Sequence, residues 1–414
     1  MDDAQSAQRT TGNPSHQTDQ TVRRRRIVRR SAIAVVGLVV LFYGAGGWYF
    51  STELGNDAFV VDNSEDDADE DFNLEVVAID DASIAFRSAE GDDADLLADG
   101  VFGVDVPNGW LHVGEIRNAA TEAGFDTVTR SLDSSTGMQP APGTPADFDA
   151  WFYETDPSDL GLAYQDITFE SPIGQLDGWA IPAADDDTWA IVIHGKGAQR
   201  REGLRILESI NTAGHPALII SLRNDARQPP DPSGYHRYGA TEWTDVEGAV
   251  RYAVANGAED VVLVGLSTGA AHALSFFYQS DLADRVVGAI FDSPNIDFGR
   301  TVDFGASQRT IPLIGVKVPQ SLTTVAKSIA ALRFDFDWSE HDFIDDAERI
   351  DFPILVFHGT DDSTVPIDVS ERLRDERPDL VTMLSVVGAE HVQSWNADPS
   401  RYAAEVEAFL KANR

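Results

Sequence analysis

The chain opens on a mostly polar stretch of 22 residues and then turns basic, Arg23-Arg24-Arg25-Arg26-Ile27-Val28-Arg29-Arg30. Twenty residues without a charge follow, Ser31 to Phe50, ending in Trp48-Tyr49-Phe50. A helix of that length spans the hydrocarbon core of a bilayer. The pattern predicts a transmembrane helix over 31–50, with 1–30 as a disordered basic tail held in the cytoplasm and the aromatics at the outer interface. A cleaved signal peptide fits less well. The leader is long, the apolar run exceeds an ordinary h-region, and no clear small-x-small site follows. Residues 51–71 then read as an acidic linker. Asp62 to Asp71 holds seven acidic residues in ten, a self-repelling spacer without the glycine and final glutamate of a calcium loop.

Beyond the linker the period shortens to two. Leu74–Ile79 and Ser83–Arg87 flank Asp80-Asp81-Ala82 as a hairpin. Further strands are expected at Val101–Val106, His112–Ile116 and Thr127–Leu132, so 72–160 reads as a small, mostly β unit. From Gln165 buried-strand runs alternate with helical stretches, which predicts an α/β domain over 165–414 with a mainly parallel sheet. Its strands are Asp166–Glu170, Leu176–Pro182, Thr188–Ile193, Ala217–Leu222, Val261–Val264, Val286–Phe291, Ile354–Phe357 and Val381–Val387, with helices at Glu202–Ala213, Glu242–Asn256 and Arg401–Leu410. The 295–350 interval is too long for a plain connection and carries apolar pieces, so it reads as a cap.

Charge narrows the partners. There are 69 acidic and 31 basic residues, for a net charge of −38, and no cysteine. A nucleic-acid partner is disfavoured, since a phosphate footprint needs clustered Lys and Arg. Thiolate chemistry and disulfides are excluded. No H-x-x-x-H or H-x-H pair marks a metal, and no cofactor is expected.

The chemistry concentrates at Val261-Val-Leu-Val-Gly-Leu-Ser-Thr-Gly269. A β-branched run meets Gly265-Leu266-Ser267-Thr268-Gly269, and Ala270 to Leu274 continues as a helix. Strand, sharp turn and helix are the setting of a nucleophile elbow. Glycines two before and two after Ser267 are needed because the turn presses those positions against neighbouring backbone. Thr268 stands at the helix start, where its N–H can meet an oxyanion.

With His358-Gly-Thr-Asp-Asp-Ser-Thr-Val-Pro366 and Gly388-Ala-Glu-His391 each following a late strand, residues 165–414 resemble the α/β-hydrolase superfamily, nearest its lysophospholipase and serine-aminopeptidase-like members. The resemblance implies Ser267 as nucleophile, His391 as base, Asp362 as the orienting acid, and the N–H groups of Lys196 and Thr268 as the oxyanion hole. Asp361 and Asp292 are alternative acids. Spacing within the motif favours Asp362, and Asp292 reads as a turn residue before Pro294. His194, His272 and His358 read as structural. The implied protein is a single-pass, membrane-anchored serine hydrolase outside the cytoplasm, acting on a small-molecule ester or lipid. A peptidase, amidase or acyl transferase would use the same triad, and a non-catalytic binding module on a hydrolase scaffold is the alternative of another class.

Overall fold

The structure is a computed structural model and describes residues 14–61, 72–88, 95–122, 125–183, 187–312 and 314–413. The first element is a 41-residue helix, α1 (Pro14–Leu54), which runs on through one π turn, Gly55–Phe59, closed by Val60 N–H to Gly55 O. Its Arg23–Phe59 stretch is long and apolar enough to cross a membrane. This helix is longer than the expected 31–50 at both ends, and helix begins at Pro14, inside the tail expected to be disordered. The linker expected over 51–71 is also corrected. Ser51 to Val60 packs against the rest of the protein because it carries Phe59, a wholly buried ring. The acidic run 62–71 lies outside the described residues.

Six strands follow: β1 (Leu74–Ile79), β2 (Ser83–Ser88), β3 (Phe102–Val106), β4 (Gly109–Glu122), β5 (Phe125–Gly137) and β6 (Pro145–Asp149). They close into a barrel in the order β1-β2-β5-β4-β3-β6. Alternate residues such as Val76, Phe86, Val104, Leu111, Val113 and Phe148 fill the interior, as the two-residue period requires. Closure leaves no free sheet edge. One cation lies inside. The Arg130 guanidinium donates to the carbonyls of Leu96, Ala98, Gly100 and Gly114 beside the paired rings of Phe102 and Phe148, and burial lowers its pKa to about 10.

The second body is an eight-stranded sheet. In chain order its strands are β7 (Gln165–Ser171), β8 (Gly174–Ile181), β9 (Thr188–Ile193), β10 (Ala217–Ile220), β11 (Asp260–Leu266), β12 (Val286–Asp292), β13 (Ile354–Gly359) and β14 (Val381–Val386). Across the sheet the order is β14-β13-β12-β11-β9-β10-β8-β7. Only β8 opposes its neighbours, and the other pairings are parallel. Strands buried on both faces explain the unbroken apolar runs. Val261 and Leu263 face helices α3 (Trp243–Ala255) and α4 (Thr268–Gln279), whereas Val262 and Val264 face α2 (Leu204–Ala213) and α9 (Pro399–Ala412). One reversed strand, the β9–β10 exchange and a sharp turn after the fifth strand make this the α/β-hydrolase fold.

Residues 295–350 hold two longer helices, α5 (Phe298–Gln308) and α6 (Gln320–Phe334). The α6 helix lies along α1. A Cβ on Gly47 would come within 2.6 Å of Val325 Cγ1, and one on Gly55 within 2.3 Å of Phe334 Cζ. Hydrogen there is what lets the two helices touch. The remaining helices are α7 (Asp368–Glu376) and α8 (Ser394–Ala397).

Candidate active site

The turn between β11 and α4 sets Ser267 at φ 50°, ψ −117°. That left-handed value is uncommon for a residue with a side chain. Ser267 N–H donates to Asp292 O, and Ser267 O accepts from Asn295 N–H, so the turn is held on both sides. A Cβ on Gly265 would lie 2.5 Å from Ala270 N, and one on Gly269 2.1 Å from Ile193 O. Neither position admits a side chain.

His391 follows β14 and brings Nε2 to 2.8 Å from Ser267 Oγ and Nδ1 to 2.8 Å from Asp362 Oδ2. Asp362 Oδ1 accepts from the N–H groups of Thr364 and Val365. Burial alone would raise the Asp362 pKa. Hydrogen bonds from His358, His391 and the Val365 amide outweigh it and hold the carboxyl well below its ordinary range. The structure therefore brings Ser267, His391 and Asp362 together. Asp361 is exposed and turned to Thr360. Asp292 lies wholly buried at the end of β12, where it accepts from Ser394 Oγ, and burial pushes its pKa up to about 6.

Thr268 is the first residue of α4, so its N–H has no partner carbonyl within the helix. Opposite it, the loop after β9 is fixed by Gly195 N–H donating to Glu202 Oε2 at 2.7 Å. A Cβ on Gly195 would stand 3.1 Å from Ser267 Cβ, so this loop passes directly over the serine and Lys196 is the next residue along it. His194, behind the loop, sets Nε2 against Asp225 Oδ2 and Nδ1 against Gly195 O. Burial would lower its pKa, but the Asp225 carboxylate outweighs that and the net direction is upward. His358 bonds Ser370 Oγ and Val365 O behind Asp362. His272 is buried and its pKa falls to about 4 through desolvation.

Three features of the site's surroundings escape a reading of the sequence. The first is the end of α1. The exposed Lys196 side chain is tied at its tip: Nζ donates to Asp57 O at 2.7 Å, and Asp57 Oδ2 pairs with Arg309 at 2.5 Å. Phe59 inserts among Tyr238, Phe298, Phe334, Phe336 and Trp338, with Tyr238 Oη donating to Ala58 O and His236 N–H to Phe59 O. The signal available was Ala58-Phe59-Val60-Val61, an apolar island in an acidic stretch. The second is the barrel. Asn396 Nδ2 donates to Val101 O at 2.8 Å and Ala150 O at 2.7 Å, and Phe152 and Tyr153 lie against Trp395. The barrel thus braces the loop that bears His391. The third is Val392, a β-branched residue at φ 55°, held by Ser293 Oγ on its N–H and Arg205 on its carbonyl. Strain of this kind next to His391 fixes the ring's approach.

Neither a family model nor a curated protein matches the sequence. Among solved structures the chain is similar to an esterase from Pyrococcus furiosus, at 21% identity over 63% of this chain and 96% of that one, with a TM-score of 0.49. It is also similar to the esterase Est1E of Butyrivibrio proteoclasticus with ferulic acid bound, at 17% identity over 60% and 98%, TM-score 0.44. An esterase of a Rhodococcus species gives 16% identity over 60% and 99%, TM-score 0.42.

Proposed function

We propose that this protein is a membrane-anchored serine hydrolase of carboxylic esters. The observation that carries the reading is the unbroken chain from Ser267 Oγ through both nitrogens of His391 to Asp362, with 2.8 Å at each link. In this reading Ser267 attacks the acyl carbon as His391 Nε2 takes its proton. The oxyanion is received by the N–H groups of Thr268 and Lys196. His391 then gives the proton to the departing alcohol, leaving an acyl-serine. Water, deprotonated by the same nitrogen, releases the acid. Asp362 holds the Nδ1 tautomer and stabilises the imidazolium. An amidase or acyl transferase would share these steps and differ in the leaving group or the acceptor.

In the same reading α1 crosses the bilayer with Arg23–Arg30 on the cytoplasmic side, and the barrel and hydrolase domain stand outside. The anchor brings a lipid or lysolipid ester within reach.

The test uses the full chain in detergent, with p-nitrophenyl esters from C2 to C16 and a fluorophosphonate label. Ester hydrolysis and labelling, both abolished by Ser267→Ala, are the expected result. A folded protein that neither hydrolyses any ester nor takes the label refutes the reading in favour of a binding module.

A further inference from the structure

A cavity of about 130 Å³ opens where the end of α1 meets the cap. Its apolar wall comes from Phe50 and Leu54 of α1, Val302 and Ala306 of α5, Val318, and Ala326 of α6. A space of about this size takes a benzene-sized guest, so the apolar part of this open cavity suits several carbons of a chain, with Thr323, Arg309 and Lys327 also among its lining residues. Asp57 closes one side, and the same residue takes the Arg309 and Lys196 contacts described above. One residue therefore separates this cavity from the loop over Ser267. On the other flank α5 reaches the acid loop, where Gln308 Nε2 donates to Ser363 O beside Asp362.

The cavity also faces the membrane level. The α6 helix runs in the same direction as α1, with Ser321 beside Tyr43, Val325 beside Gly47 and Phe334 beside Gly55. The start of α6 is therefore level with Tyr43, which lies seven residues, about 10 Å, on the bilayer side of Phe50. Just before α6 a tight hairpin is closed by the Thr310–Lys317 bridge and by Ile311 N–H to Val316 O. Its tip presents Ile314 and Val316, both more than half exposed. With α1 as the anchor, the hairpin just before α6 would lie on the bilayer side of the cavity, since the start of α6 is level with Tyr43. The α1 helix is apolar and exposed on all sides over Leu38, Val40 and Leu41, and Phe50 further along it lines the cavity.

We propose that the cavity is an acyl-chain site, filled from the outer leaflet through the seam between α1 and the cap, so that the substrate is a lipid ester drawn sideways from the bilayer. The proposal rests on the ester-hydrolase reading and on α1 as the anchor, and it adds the route and the seat of the chain.

The test uses the full chain in nanodiscs of phosphatidylcholine and phosphatidylglycerol, doped with a phosphatidylcholine bearing a diazirine midway along one acyl chain. After irradiation, adducts are expected on residues 302–309 and 318–327 as well as on the exposed face of α1. Gly305 lines the cavity and a Cβ there would meet no atom within 4 Å, so Gly305→Phe fills it without a backbone clash; Ala306→Phe serves if that variant does not fold. The filled variant should lose about tenfold of the adducts on 302–309 while those on α1 persist. Its ratio of C12 to C2 ester rates should fall about tenfold. Adducts on α1 alone, cavity adducts unchanged by Gly305→Phe, or adducts lost with the ester ratio unchanged each overturn the proposal. Cavity adducts in a wild-type chain that hydrolyses no ester would support the lipid site and overturn the enzyme reading instead.

Discussion

Replacing Phe59 by Ala tests whether the end of α1 is an integral wall of the hydrolase domain. The ring is fully buried, and five aromatic side chains have centroids within 4.8–6.3 Å of it. Truncating a buried Phe to Ala typically costs about 3–5 kcal/mol through lost transfer energy and the cavity left behind. The aromatic pairs are part of that figure and not an addition to it. Two hydrogen bonds to backbone carbonyls survive the change, Tyr238 Oη to Ala58 O and His236 N–H to Phe59 O, and they lose their cover. The expected outcome in detergent is a fall in unfolding free energy of about 3–5 kcal/mol. The His236 amide, whose acceptor is Phe59 O, should exchange with solvent about 10²–10⁴-fold faster, since each 1.4 kcal/mol is a factor of ten. Phe59→Leu keeps most of the volume and should cost under about 1.5 kcal/mol. A loss below about 1 kcal/mol in Phe59→Ala, with His236 exchange unchanged, would refute the reasoning and return 51–60 to the role of a spacer.

Three further outcomes are expected. Asp362→Asn keeps the volume but supplies the wrong hydrogen-bonding partner to His391 Nδ1, and kcat should fall by about 10⁴ with labelling of Ser267 slowed in parallel. Asn396→Ala removes two hydrogen bonds to barrel carbonyls, worth about 1 kcal/mol each. Since its own Oδ1 is buried without a partner among the described residues, the net loss should be about 1–2 kcal/mol by denaturant unfolding, with a lower kcat as the His391 loop loosens. Asp292, pushed up to about 6 from 3.8, binds its proton more tightly folded than unfolded. Wild-type stability is therefore lost as pH rises from about 4 to about 6, and the loss is complete above that. Asp292→Asn cannot ionise and should gain on wild type by about 1 kcal/mol between pH 5 and pH 7, read from urea midpoints; a constant difference across that range would exclude the mechanism.

The sequence made the elbow legible because its demands are local. Gly265 and Gly269 are dictated by contacts to Ala270 N and Ile193 O, and the flanking strand and helix have clear periods. The loops carrying Asp362 and His391 were legible for the same reason, each following a short apolar strand. The barrel was seen only as scattered strands. Its closure depends on β6 pairing with both β1 and β3, contacts between distant residues that no periodicity announces. The true strands also run longer, Gly109–Glu122 and Phe125–Gly137, because polar outward residues mask the alternation. Arg130 could not be foreseen as a core residue, since its partners are four backbone carbonyls. Ser51–Val60 was read as linker because its acidic neighbours outweighed a single phenylalanine. Asn396 and Val392 matter through backbone groups they hold or strain, and side-chain type alone carries no trace of that.

The glycines where α6 meets α1 carry a mechanical consequence. With Gly47 and Gly55 seated against Val325 and Phe334, and Arg333 bonded to Ser51 and Thr52, the helix has no swivel where it joins the domain. If α1 is the anchor, rotation about the membrane normal and height above it would be shared by the two as one rigid lever. On the proposed reading, with α1 in the bilayer and a lipid ester as reactant, an enzyme so mounted would sample that reactant in two dimensions. Its turnover would follow the mole fraction of reactant in the surface and not the amount per volume of buffer, and diluting the bilayer with inert lipid would slow it even at constant bulk concentration.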